Sequence, residues 1–489
     1  MGIVFKQTFS NTIVTFLGFG IGAINTLFLY TNFLSKENYG LVTVILATAA
    51  LLMPLLTFGV QNTLVKFYSS YKDGNEAKSF LSLMLYLPML IIIPFTLITF
   101  FATDFIGDFL AEKNQEVKGY VWYIFFVGLA MSYFEIFYSW VKVHMKSVFG
   151  NFMKEVFGRL CIAILLVLVY YKLISVDFFL KALVGVYVLR LLVMKWYAFS
   201  LEMPGFNFKL PNNYISIIKY SALIILGGSA AVILLEIDKF MLNQYVAIEN
   251  VAFYGVSVFI ATVITVPSRA MHQITHPLTA KLLNSKDKPE LLKLYKKSSL
   301  TLFIISGIIF LLIVLNLNEL YKLMPVAYRG GMLVVFLIGL TKVLDALLGN
   351  SNSILFNSDY YRAILVMGVL LAILVVALNY VLIPAYGLEG AAWASFIAIA
   401  GFNAVKIGYV YAKFKMHPFS LDTLKVLLVL CVLGGLFFFV NFKFYPVINI
   451  ALKSIIISVV YIFVLYKLGV SKDVYGIVSP YLKKKRKQK

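Results

Sequence analysis

The stretch 379–398, NYVLIPAYGLEGAAWASFIA, decides the fold class. Two strongly apolar runs meet at a break made of Pro384, Gly387, Glu389 and Gly390, followed at once by Ala391 and Ala392. Almost any polar residues would let a chain turn between two membrane crossings. Small residues do more, because they let backbones approach closely. In a bilayer close packing is what joins helices, since lipid tails are as apolar as Leu and supply no hydrophobic drive for association. The break therefore reads as the tip of a tightly packed membrane hairpin, stiff enough to move as one piece inside a bundle.

The rest of the chain agrees. Hydrophobic residues make up 61% of the 489 positions and charged residues only 13%, at a mean hydropathy of +0.90. A water-soluble chain of this composition would lack a polar coat. A helix crossing roughly 30 Å of hydrocarbon needs about 20 mostly apolar residues, and the sequence holds about fourteen such runs. In the first half they lie near 9–32, 41–67, 80–101, 121–140, 157–171 and 179–197. In the second half they lie near 217–235, 251–271, 300–317, 332–348, 364–382, 391–411, 424–440 and 447–466. The expectation is an all-α polytopic membrane protein of two pseudo-symmetric bundles. The first apolar run is longer than a signal-peptide core and reads as retained.

The net charge of +21 is not gathered into the single stripe that nucleic acid requires. Lys and Arg sit between apolar runs instead, most of them in alternate connections, which places both termini in the cytoplasm by the positive-inside rule. The tail KKKRKQK fits this orientation and also suits anionic lipid heads. Cys161 and Cys431 lie within apolar runs and read as small hydrophobes. The proline-bearing stretch 200–214, SLEMPGFNFKLPNNY, is the expected connection between bundles. The expected organisation is a six-helix lobe 1–199, a linker 200–216, a second six-helix lobe 217–413, two added helices 414–470 and a basic tail 471–489. NSKDKPELLKLYKKSS, from Asn284, suggests a short helix lying on the inner surface, capped by Asp287 with Pro289 in its first turn.

The halves also resemble each other. LSKENYGLVTVILATAALLMP (34–54) and AIENVAFYGVSVFIATVITVP (247–267) share an acid and Asn, a Tyr-Gly pair and an apolar run ending in Pro. Such internal symmetry is a mark of transporters whose bundles rock about a site near the midplane.

Three motifs carry a family resemblance. The pattern from Asn379 to Ser395, the stretch EIDKFMLNQY (236–245) followed by Tyr254-Gly255, and LSKENYGL (34–41) together resemble the polysaccharide branch of the multidrug/oligosaccharidyl-lipid/polysaccharide (MOP) exporter superfamily. Lys239 stands where that branch usually has Arg, and Tyr-Gly replaces Gly-Tyr. The resemblance implies a flippase of the Wzx type and no enzymatic activity. Its implied substrate is an oligosaccharide on undecaprenyl pyrophosphate, moved from the inner to the outer leaflet of the bacterial cytoplasmic membrane for surface polysaccharide synthesis. Membrane lipids, and a polysaccharide polymerase or glycosyltransferases of the same pathway, are the implied partners. No cofactor is implied.

A sugar pyrophosphate cannot enter hydrocarbon without partners for its charge, so ionisable and polar side chains inside spans are the candidate site residues. Arg269, His272, Gln273 and His276 share one helical face and can hold pyrophosphate, or end the span at the interface. His272 and His276 lack a third ligand, so no metal site is expected. Lys342 and Asp345 form either a neutral pair or, through Asp345, an ion-coupling site. Lys406, three residues after Asn403, has no acid within a helical turn and suits a cavity wall. Glu135, set among Tyr133, Phe137, Tyr138 and Trp140, is a candidate for exchanging a proton. Gln61, Asn62 and Asn25 can bond sugar hydroxyls or join helices. Glu236, Asp238 and Lys239 read as a structural ion cluster near the outer interface.

Two rivals share the superfamily. A cation-coupled drug antiporter of the MATE type is disfavoured by the lack of an acid in 9–32, and a peptidoglycan-precursor flippase by the lack of arginine in the first spans. A membrane glycosyltransferase or polymerase would need acid and base groups on a sizeable outer loop, and the outer connections are short.

Overall fold

The computed structural model describes residues 2–71, 74–205, 210–211 and 213–470, without the side chains of 2–6, 8–9, Leu226, Ala231 and Gln273. The basic tail and part of the linker therefore lie outside the described residues. Within them the chain is helical, with no strand. Among the described residues nine helices are long and apolar enough to cross a bilayer, and a tenth if the bent pair Tyr214–Ala230 and Val232–Tyr245 is one span. Helix Tyr361–Phe414 contains two of the expected spans, while Gly158–Tyr170 and Val176–Leu201 stand where the fifth and sixth were expected and are not in that count. Helices are the form expected here, because each satisfies its own backbone hydrogen bonds where water is absent.

The opening stretch behaves as its small residues require. Gly387 breaks the helix at φ 57°, ψ −128°, a conformation open to Gly and strained for any L side chain. Past it, a Cβ on Gly390 would lie 2.1 Å from the carbonyl oxygen of Leu382. In a straight helix those two residues would be about 12 Å apart. The chain has doubled back, and the backbones touch where Gly390 has no side chain. Ala391, Ala392 and Ala394 are fully buried behind it.

The chain forms two compact units. The first comprises residues 1–256 and 365–395. Its core gathers Phe80, Phe134, Trp140, Met194 and Ile217, all fully buried. The two repeat motifs meet inside it. A Cβ on Gly40 would lie 2.1 Å from the Ile248 carbonyl oxygen, the absent Cβ of Gly255 faces Thr43 at 3.4 Å, and Lys36 lies 3.5 Å from Glu249. Each Tyr-Gly pair thus supplies a flat place for the other repeat. The second unit comprises 257–364 and 396–489, with a described core of Ile264, Phe303, Val426, Ile457 and Tyr461.

One expectation is corrected. Asp287 does cap a helix, its Oδ1 accepting from Glu290 N at 3.1 Å, with Pro289 in the first turn. That helix is not a short surface element. It runs unbroken from Lys288 to Lys322, because Ser298 and Ser299 bond within the bundle and nothing between them and Leu300 stops it.

Replacing Gly390 by Ala sets a methyl against backbone that cannot yield. We expect a loss of about 3 kcal/mol or more, read as a lower thermal unfolding temperature in detergent. Gly185→Ala, with open space around its Cβ, should leave that temperature unchanged. Equal behaviour of the two variants would contradict the close approach.

Candidate functional site

In the second unit, the Val263–Thr265 turn and Pro267 launch helix Val266–Asn284, whose first turns carry Arg269 and His272 on one face. Helix Met332–Leu347 brings Lys342 and Asp345 to the same place. It ends at Gly349, φ 54°, where a Cβ would meet Ser299 N at 2.7 Å. Asn350 then fixes the corner, donating to Thr279 Oγ1 at 2.7 Å and accepting from Ser298 Oγ at 3.1 Å. The result is a pocket of about 220 Å³ lined by Arg269, His272, Lys342, Asp345 and Asn352. Lys342 and Asp345 both line it, and Asp345 is exposed.

Lys406 joins this constellation from below the surface. It is 2% exposed, donates to Asn352 Oδ1 at 2.9 Å and lies 4.6 Å from the Phe402 ring centroid. It does not reach out to the interface. Asp345 interacts electrostatically with both Lys406 and His272. Asn403, 4% exposed, has neither its amide nitrogen nor its oxygen hydrogen-bonded. His276 is exposed, and the side chain of Gln273 lies outside the described residues. Among the described residues there is no metal-binding group of His, Cys, Asp and Glu.

The first unit holds a second ionic cluster, mostly missed by sequence reasoning. Glu135 is not an isolated acid among rings: its Oε1 accepts from Lys154 Nζ at 2.5 Å. Arg159 pairs with Glu155 at 3.1 Å. Lys142 lies 3.8 Å from the Tyr138 ring centroid, and the Arg190 guanidinium 4.3 Å and 4.7 Å from those of Phe134 and Tyr187. Asn25 donates to the Arg159 carbonyl at 2.7 Å, joining the first helix to this cluster instead of reaching across the first hairpin. Gln61 is half-buried with an unbonded Oε1, and Asn62 is exposed.

Asp238 is the third feature. Glu236 and Lys239 pair with each other at 2.6 Å, as a structural cluster should. Asp238 turns away, 7% exposed, and accepts from Tyr254 Oη, from Asn379 Nδ2 at 2.7 Å and from Ser395 Oγ at 2.7 Å. All four residues belong to the motifs that carry the family resemblance. The signature is therefore one buried carboxylate tying three separate segments of the first unit together. A cleft of about 630 Å³ between helix Tyr214–Tyr245 and the run 369–381 is apolar and suits no charged group.

The family described as polysaccharide biosynthesis protein matches residues 4–283. The chain belongs to that family. Its fold is similar to that of the lipid II flippase MurJ in an inward closed conformation, at TM-score 0.73 and 14% identity over 94% of this chain and 99% of that one. It is also similar to an inward-facing MATE multidrug resistance transporter of the MOP superfamily, at TM-score 0.63 and 14% identity over 83% and 94%. A third likeness is to a MOP superfamily transporter from Pyrococcus furiosus, at 0.60 and 15% identity over 84% and 96%. No curated protein matches. The family is thus shown by sequence, and the fold is one the chain shares with these transporters.

Asp238→Ala strips three buried donors of their acceptor, each costing about 1–3 kcal/mol when left unmet. The variant should unfold at clearly lower temperature than wild type in detergent. Unfolding at the wild-type temperature would show that the carboxylate does not hold these segments.

Proposed function

We propose that this protein is a flippase for undecaprenyl-pyrophosphate-linked oligosaccharides. It works in the bacterial cytoplasmic membrane, with both termini in the cytoplasm, and carries each unit from the inner to the outer leaflet by alternating access. The moving bodies are two bundles of helices. Membership of the polysaccharide biosynthesis family supports a role in polysaccharide synthesis, and in this reading a polymerase or glycosyltransferases of that pathway supply and consume the substrate. The lipid II flippase is one precedent for lipid-linked cargo on this fold, and it comes to this chain only by analogy.

The observation that carries the reading is the pocket holding Arg269, His272 and Lys342, with Lys406 behind Asn352. An ammonium buried in a membrane protein costs several kcal/mol after relaxation unless it is partnered. Cationic side chains on apolar helices are therefore kept where an anion passes. A pocket of about 220 Å³ accommodates a phosphate-sized head, while the sugars need the wider space that opening would provide. The unbonded polar atoms of Asn403 and Gln61 suit sugar hydroxyls, which both donate and accept. Asp345, exposed beside these cations, is the better candidate for ion coupling, since Glu135 is held by Lys154.

The sign of the charge separates this reading from a drug antiporter. An organic cation would be drawn to carboxylates, whereas here Arg269, Lys342 and Lys406 surround a single described acid, Asp345.

Reconstitution with lipid-linked oligosaccharides, scored for exposure in the outer leaflet, tests the proposal. Arg269→Ala and Lys406→Ala should each lower the rate about tenfold or more, as loss of a charge-assisted contact does, at normal protein abundance. Wild-type rates in both would remove the anionic-cargo reading.

A further inference from the structure

The helical arm beyond Gly387 carries its polarity on the inside. Gly401, Ala404, Val405 and Gly408 are exposed, while Asn403 and Lys406 are 4% and 2% exposed. Lys406 is met by Asn352 Oδ1 at 2.9 Å and lies over the Phe402 ring. Asn403 is met by nothing among the described residues: neither its amide nitrogen nor its oxygen is hydrogen-bonded, and both are shut off from solvent. Other buried asparagines differ. Asn350 both donates and accepts, and Asn25, Asn316 and Asn379 each use their amide nitrogen. A buried amide with no partner costs free energy that packing does not return, whereas an apolar side chain of similar size would fill the space without that cost. An asparagine kept there calls for a ligand that supplies the missing bonds.

The place of that amide points to the ligand. Asn352, which holds Lys406, lines the pocket that Arg269, His272 and Lys342 share. Asn403 precedes Lys406 by three residues, which is about 4.5 Å along a helix and puts the two on neighbouring parts of one face. An anionic head held by the cations of that pocket would therefore bring its next group, not its charge, to Asn403. On a sugar phosphate the next groups are those on the second and third ring carbons. A carboxamide offers a donor and an acceptor side by side, and adjacent equatorial substituents on a sugar ring answer it with an acceptor and a donor. A ring lacking one of them answers only half, and an acyl chain answers neither.

We propose that Asn403 reads the sugar bonded directly to the pyrophosphate, by binding the hydrogen-bonding groups on its second and third ring carbons, and so selects against 2-deoxy sugars. The contact forms when the site opens for its cargo. The proposal rests on the flippase reading for the pyrophosphate and the lipid. The substrate class it names is a lipid diphosphate whose first sugar is a hexose or 2-acetamido hexose of gluco or galacto configuration, since both carry adjacent equatorial groups at those carbons. A site built around such bonds rejects an analogue lacking one of them more strongly than an apolar pocket rejects a missing methylene, because its own polar atoms are left unpaired.

The experiment uses the purified full chain in nanodiscs and measures binding of farnesyl-diphosphoryl glucose and its 2-deoxyglucose counterpart, with transfer of both between leaflets followed in proteoliposomes. Wild type should bind the glucose compound about tenfold or more tightly than the 2-deoxy compound. Asn403→Leu should bring the glucose compound down to the affinity of the 2-deoxy compound and leave the latter nearly unchanged. It should also unfold at the wild-type temperature or above, because the amide it removes bonds nothing in the protein. Asn403→Ala gives a second measurement of the same ratio. A merely structural asparagine would lower both affinities equally or lower the unfolding temperature of Asn403→Leu, and either result would overturn the proposal. So would a preference that survives both substitutions, or wild-type protein that binds the two compounds equally or binds neither. The two readings fail differently. Equal binding and equal transfer of both compounds remove the sugar assignment alone; the expected binding preference with no transfer of either removes the transport reading alone.

Discussion

A charge in hydrocarbon must find a partner, and this chain is organised by how it meets or leaves unmet that demand. Where the demand is met, charge is structural. Asp238 receives three neutral donors from Tyr254, Asn379 and Ser395 and binds distant segments into one unit. Glu319 and Lys453 do similar service in the second unit, where Asn449 donates to Glu319 at 3.3 Å and Lys453 to the Leu315 carbonyl at 2.9 Å. Elsewhere positive charge outnumbers negative, at Arg269 and Lys342 beside Asp345 in one unit and at Lys142 and Arg190 in the other. A protein built to stabilise itself alone would have no reason to retain it.

The close-packed glycines make this charge placement possible. Interhelical hydrogen bonds act over about 3 Å, and side chains as short as Ser395 and Asn379 reach a common carboxylate only if their helices nearly touch. The reversal at Gly387 and the backbone contact at Gly390 bring Asn379 and Ser395 to the same carboxylate from opposite arms of one hairpin. The Tyr-Gly pairs do the same for the repeats, with Gly40 against Ile248 and Tyr254 directed to Asp238. Small residues and buried polar groups are thus two parts of one design.

Much of this was legible in the sequence, for a local reason. Hydropathy and the hairpin's Gly and Ala residues specify spans and close packing without knowledge of any partner, and the Asp287 cap is contained within a few residues. Lys406 was marked as interior because no acid lies within a turn of it. The site was less legible because its pairings are distant. Asp238 looked like a member of a surface cluster beside Glu236 and Lys239, while its true partners lie in another part of the chain. Glu135 looked isolated because Lys154 belongs to the next helix. Lys142 and Arg190 drew no notice, since a lone cation in a span reads as an interfacial one, and the π-turns at Asn25–Leu29 and Met153–Phe157 have no composition of their own. The continuity of helix Lys288–Lys322 was hidden by lysines that imitate a surface helix.

The central claim is that the surplus cations face water and anionic cargo instead of lipid. It is tested most directly by thiol accessibility. With Cys161 and Cys431 replaced, Lys142→Cys and Arg269→Cys are exposed in turn to a membrane-impermeant, charged thiol reagent in inverted vesicles, with and without a polyprenyl pyrophosphate. The account predicts rapid labelling at both positions and protection by the pyrophosphate. Labelling no faster than at a lipid-facing position such as Leu189, or labelling indifferent to the pyrophosphate, would contradict it.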